Sequence, residues 1–63
     1  DYYTMYLKNH LKEVGDPRLD DDEFITGRSD AASDEYERAR RAGYGVDGAQ
    51  ELAMAVLLDG LSV

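Results

Sequence analysis

No cysteine occurs among the 63 residues, so neither a disulfide nor a thiolate zinc site braces the fold. His10 is the only histidine, which excludes a His-rich metal site within one chain. Tryptophan is absent, phenylalanine occurs once, and Pro17 is the sole proline. Nowhere do polar and apolar residues alternate with period two, so no strand is expected. The apolar run at positions 52–58 is far shorter than the roughly 20 residues that span a bilayer, and no basic segment leads into an apolar core as in a signal peptide. Positive charge is scarce: seven Lys and Arg stand against fourteen Asp and Glu, for a net charge of −7. That balance disfavours direct binding to nucleic acid or to an anionic membrane, and it suits solubility or a basic partner. The expected setting is the cytoplasm.

What remains is a short, helical, acidic chain. Its length predicts a single domain over 1–63, of a size that is marginal as a monomer unless something else stabilises it. With disulfides and metals set aside, oligomerisation and efficient helix packing are the remedies left. The chain opens at Asp1 rather than Met, which fits a fragment or one domain of a longer protein. The expected partner is therefore a second copy or a further segment of a longer chain.

Spacing predicts three helices, about 2–14, 21–42 and 48–60. They make an all-α three-helix bundle, orthogonal or up-down, with dimerisation as one way to complete it. In the first helix Tyr3, Tyr6, Leu7, His10, Leu11 and Val14 share one arc, and Gly15 followed by Asp16-Pro17 stops it. The second opens on Asp20 as N-cap with Glu23 three residues on, an Asp-type capping box, and Leu19 and Phe24 as its hydrophobic staple. Its inner arc is Phe24, Ile25, Ala31, Ala32, Tyr36, Ala39 and Ala42. Asp34 with Arg38 and Glu37 with Arg41 are i,i+4 pairs, and Gly43 with Tyr44 reads as a Schellman ending. Gly27 costs about 1 kcal/mol relative to Ala, so a break there, re-capped by Ser29, is a second possibility.

The third helix starts at Asp47 with Gln50 as a second capping box and ends near Asp59-Gly60. It is apolar on nearly every side. Ala49, Leu52, Ala53 and Val56 form one arc; Met54, Leu57, Leu58 and Leu61 form another. A surface helix needs only one apolar stripe. The first arc is expected to close the core. The second, left wet at roughly 1.5–3 kcal/mol per large side chain, calls for a cover. The expected interface is Met54, Leu57, Leu58 and Leu61, joined by Tyr2 and Tyr6 from a chain that holds five tyrosines.

No other cluster carries a chemistry. The acidic stretch from Asp16 to Glu23 fails as a calcium loop, because Arg18, Asp21 and Gly27 occupy the third, sixth and twelfth positions; helix capping accounts for it. His10 reads as a packed or hydrogen-bonded core histidine, with a pH-sensitive contact as the alternative. Ser29, Ser33 and Ser62 have no spacing that ties them to His10 as nucleophiles. Arg28, one heptad from Glu35, either snorkels or pairs across an interface with an acidic residue such as Asp59. Residues 43–48 lack the Lys and spacing of a phosphate loop. No enzyme activity and no cofactor are expected.

Tyr36-Glu37-Arg38-Ala39, followed by the run Gly48-Ala49-Gln50-Glu51-Leu52-Ala53-Met54-Ala55-Val56-Leu57-Leu58-Asp59-Gly60-Leu61, resembles an uncharacterised family of small helical proteins associated with bacterial conjugative transposons. Tyr2-Tyr3 and Phe24-Ile25 add to the likeness, which covers most of the chain. The resemblance implies an all-α fold, a bacterial cytoplasmic setting and relatives that are often longer; it implies no catalytic or ligand residue. Together these features predict a small acidic helical interaction module that self-associates through its C-terminal helix. The alternative is a mobile-element accessory that engages a basic partner, in one form as a nucleic-acid mimic through Asp30, Asp34 and Glu37.

Overall fold

Three α-helices and one 3₁₀ turn follow one another in a computed structural model that describes residues 1–61. Ser62 lies outside the described residues. Helix α1 spans Tyr2–Val14, the 3₁₀ turn Pro17–Asp20, α2 Asp22–Arg41 and α3 Val46–Leu57. The 20 residues of α2 amount to about 30 Å of helix and set the long axis of a 36 × 21 × 18 Å body.

Capping decides where each helix begins, and two starts differ from the sequence expectation. Asp1 caps α1 by accepting the Thr4 backbone N–H at 2.9 Å. The cap of α2 is Asp21, not Asp20, and it accepts from the Phe24 N–H at 3.0 Å. The one-residue shift arises because Pro17 nucleates a 3₁₀ turn, capped by Asp16, that takes up Asp20. Leu19 and Phe24 each pack against the core, two residues before the cap and three after it. Helix α3 starts at Val46 behind Gly45, with no side-chain cap; Asp47 sits in the first turn and supplies charge rather than a cap. Glycine at this position gives up only a few tenths of a kcal/mol against a capping side chain.

The helix ends follow the sequence reading more closely. Gly15 at φ 71° and Gly43 at φ 103° close α1 and α2 in the left-handed region. The Tyr44 N–H reaches the Ala39 carbonyl at 3.0 Å, the long bond of a Schellman motif, and Asp16 N–H to Leu11 carbonyl at 2.9 Å repeats it in α1. Helix α3 ends at Leu57, three residues before the expected end, and a turn through Gly60 folds Leu61 back onto the core. Helix α2 runs unbroken through Gly27.

The core gathers Leu7 and Leu11 from α1, Ile25 and Ala32 from α2, Ala53 and Leu57 from α3, and Leu61. On α2 the fully inward row is Ile25, Ser29, Ala32 and Ala39; Ala31 and Ala42 of the expected arc face out. Facing it on α3 is the row Ala49, Ala53, Leu57. Four of these residues are alanines with no exposed surface, so the two helices lie close together along a small-residue seam. Ser29 is buried among them because its hydroxyl accepts a hydrogen bond from the Thr4 hydroxyl at 3.1 Å, which ties α1 to α2.

Gly27 lies in the interior of α2, and a Cβ added there meets nothing within 4 Å. Gly27→Ala is expected to raise stability by about 0.5–1 kcal/mol. Paired urea melts followed by circular dichroism check this; an unchanged or lower midpoint contradicts it.

Candidate interaction surface

The expected interface set separates by depth. Leu57 has no exposed surface and Leu61 only 8%, so both belong to this chain's own core rather than to an outer arc. The reason is the register of α3: the fully buried row is Ala49, Ala53 and Leu57, midway between the two arcs read from the sequence. Met54 and Leu58 then fall on one flank and Leu52 and Val56 on the other, all half-buried. Tyr2 and Tyr6 are exposed, at 57% and 41%.

Tyr2, Tyr3, Tyr36, Val46, Asp47 and Gln50 line a groove of about 530 Å³ where the starts of α1 and α3 meet. The Tyr3 hydroxyl donates to Gln50 Oε1 at 2.8 Å, so Gln50 fixes the tyrosine rather than closing a capping box. Partial burial, with the neighbouring Tyr36 and Tyr2, raises the Tyr3 pKa above its ordinary 10.0. The Tyr2 ring stands edge-on to Tyr3 at 5.5 Å and tilted against Tyr6 at 6.0 Å. Gln50 also borders a second groove with Glu51, Met54, Ala55 and Leu58. The tyrosine end and the Met54–Leu58 flank are thus one continuous strip. Sequence reasoning missed Val46, 56% exposed, because it placed that residue in a loop before the helix.

Arg28 works within the chain. Its Nη1 donates to the backbone carbonyls of Val56, Leu57 and Asp59, at 3.4, 3.2 and 2.7 Å. It meets the Asp59 carbonyl, not its carboxylate, and it lies 4.9 Å from the centre of the Phe24 ring. Helix α3 has no basic residue in its own last turn, so Arg28 of α2 supplies the cation that its C-terminal dipole lacks. Glu35 is not its partner: Arg38 grips Glu35 at 2.7 and 2.8 Å and holds its carboxyl below the ordinary range. Arg38 therefore pairs with Glu35 and not with Asp34, while Arg41 meets Glu37 as expected, at 3.9 Å.

Two residues of the acidic stretch, Asp16 and Asp21, act as helix caps. Asp16 accepts from the Arg18 backbone N–H at 2.9 Å and is bridged by the Arg18 guanidinium at 2.6 Å. His10 is half-buried beside a crevice of about 230 Å³ with Tyr6, Asn9 and Glu13, and its charge adds slightly to the field on Asp16. Among the described residues, no three His, Asp or Glu side chains converge as metal ligands, and no helix is long and apolar enough to cross a membrane.

Arg18 hydrogen bonds hold the Asp16 carboxyl at about 2, down from an ordinary 3.8. A depressed carboxyl stabilises the fold fully above its unfolded value, and that contribution fades as pH falls through the folded one. Thermal melts taken across that range are expected to fall more steeply for wild type than for Asp16→Asn, with Glu35 accounting for part of the remaining slope. Parallel curves contradict the assignment.

No curated protein and no solved structure matches the chain. A family model does match, over the full span of residues 1–63, and it is described as a domain of unknown function. The chain belongs to that family, DUF1896.

Proposed function

We propose that this chain is a small acidic interaction module without catalytic activity, and that it pairs with a second copy through its tyrosine end. The observation that carries the reading is the strip that runs from exposed Tyr2 and Val46, with Tyr6 packed beside Tyr2, past half-buried Gln50 to half-buried Met54 and Leu58. Tyrosine suits such a surface, since its ring is covered while its hydroxyl stays wet. In a two-fold pair the same patch serves both copies. Leu57 and Leu61 have no part in it.

A second reading is an accessory of a bacterial mobile element in the cytoplasm that offers carboxylates to a DNA-handling protein. It is favoured by Asp30 and Asp34, which are exposed on α2 and, among the described residues, form no ion pair. Salt-sensitive capture of such a protein, lost in the double variant Asp30→Asn, Asp34→Asn, supports it; salt-insensitive capture or none removes it.

Self-association is tested by size exclusion with light scattering. The expected result is a dimer mass at tens of micromolar. Val46→Glu puts a charge into the strip at the first turn of α3, where the helix dipole tolerates it, and is expected to give a monomer with undiminished helicity. A wild-type monomer, or a dimer that Val46→Glu leaves intact, contradicts the reading.

A further inference from the structure

The groove where the starts of α1 and α3 meet is walled by aromatic rings. Tyr2, Tyr3 and Tyr36 line it with Val46, Asp47 and Gln50, around a volume of about 530 Å³. The Tyr2 and Tyr3 rings stand at 79° to each other with centres 5.5 Å apart, so they make two walls of a box. The bond from the Tyr3 hydroxyl to Gln50 Oε1 fixes one wall. Tyr36, half-buried against the core, supplies a third ring.

The face of a phenol ring is negative and attracts a cation. The chain spends its own cations elsewhere. Arg18 and Arg28 lie 5.0 and 4.9 Å from the centre of the Phe24 ring, and among the described residues no Lys or Arg stacks on a tyrosine. Nor does a Lys or Arg line the groove. Asp47 is its one charged lining residue; it is exposed, and among the described residues it forms no ion pair. Two helices start here, but Asp1 caps α1 and Asp47 lies in the first turn of α3, so each positive helix end meets a carboxylate.

We propose that this groove binds a quaternary ammonium group, whose methyls rest on the Tyr2, Tyr3 and Tyr36 rings and on Val46 while Asp47 balances its charge. Aromatic walls select a methylated ammonium over a primary one. A primary ammonium carries three N–H donors that need acceptors as it leaves water, and a quaternary one carries none. An anion would face Asp47 and find no Lys or Arg in the lining. The net charge of −7 draws cations toward the chain. The site falls within the strip proposed to pair two copies, but it needs one chain only: Tyr6, Met54 and Leu58 of that strip lie outside the groove.

The probes are choline and its neutral tert-butyl isostere, in which carbon replaces the charged nitrogen. Each is titrated into the isotope-labelled full chain and followed through amide chemical shifts. Choline is expected to give saturable shifts centred on Tyr2, Tyr3, Val46, Asp47 and Gln50, and the isostere to bind about tenfold more weakly. Tyr2→Leu, at an exposed position, is expected to weaken choline about threefold or more, and Asp47→Asn about twofold or more. Circular dichroism confirms that both variants keep wild-type helicity. Val46→Glu, which breaks the proposed pair, is expected to keep choline binding, because it adds a second carboxylate to the groove. A short peptide bearing trimethyllysine distinguishes the sources of the group: affinity well above that of choline assigns it to a protein side chain, and equal or lower affinity to a free small molecule. No saturable shifts with either ligand, equal binding of the neutral isostere, undiminished binding to Tyr2→Leu, or loss of binding in Val46→Glu overturns the proposal. A wild-type monomer that binds choline removes the pairing and leaves this site standing.

Discussion

The fold depends on how α3 is held against α2. A seam of alanines, Ala32 and Ala39 against Ala49 and Ala53, lets the helices approach closely, but alanines offer little area and little register. Register comes from the two ends of the seam. At one end the Schellman turn through Gly43 and Tyr44 reverses the chain. At the other, Arg28 reaches from α2 to the last carbonyls of α3 and fans over Phe24. Hydrogen bonds from a charged donor contribute about 1.5–3 kcal/mol, which is a large share of the stability of so small a domain.

That arrangement fixes which parts of an almost wholly apolar helix remain outside. The row Ala49, Ala53, Leu57 faces inward, and Leu61 follows it through the Gly60 turn. Both flanks of α3 are then half-covered, Met54 and Leu58 on one side and Leu52 and Val56 on the other. The flanks differ in their surroundings. One runs into the tyrosines of α1, and the other lies beside Arg28, Glu35 and Asp59.

Much of the architecture is legible in the residue order. Gly15 and Gly43 mark helix ends because only a residue free to adopt positive φ completes those turns, and the period of Leu7 and Leu11 points to one face of α1. Helix starts are less legible. Asp20, Asp21 and Asp22 are chemically equal candidates for a cap, and the choice falls to Pro17, which builds a turn before them. The division of α3 into arcs is harder still: where leucine, valine, methionine and alanine occupy nearly every position, periodicity has no polar side from which to find its phase. The phase is set instead by the alanine rows and by Arg28, a contact between residues 28 positions apart and more. Ser29 escaped notice as a core residue for a related reason, because its partner Thr4 lies 25 positions away.

The most direct test is amide hydrogen exchange on Arg28→Met, which keeps much of the apolar stem while removing the cation. If Arg28 anchors the end of α3, the amides at Val56, Leu57 and Leu58 lose protection more than those in α1, and the Ala53 amide at the seam loses an intermediate amount. Uniform loss across all three helices, or no loss at the end of α3, would contradict the claim that this side chain holds the helix in register.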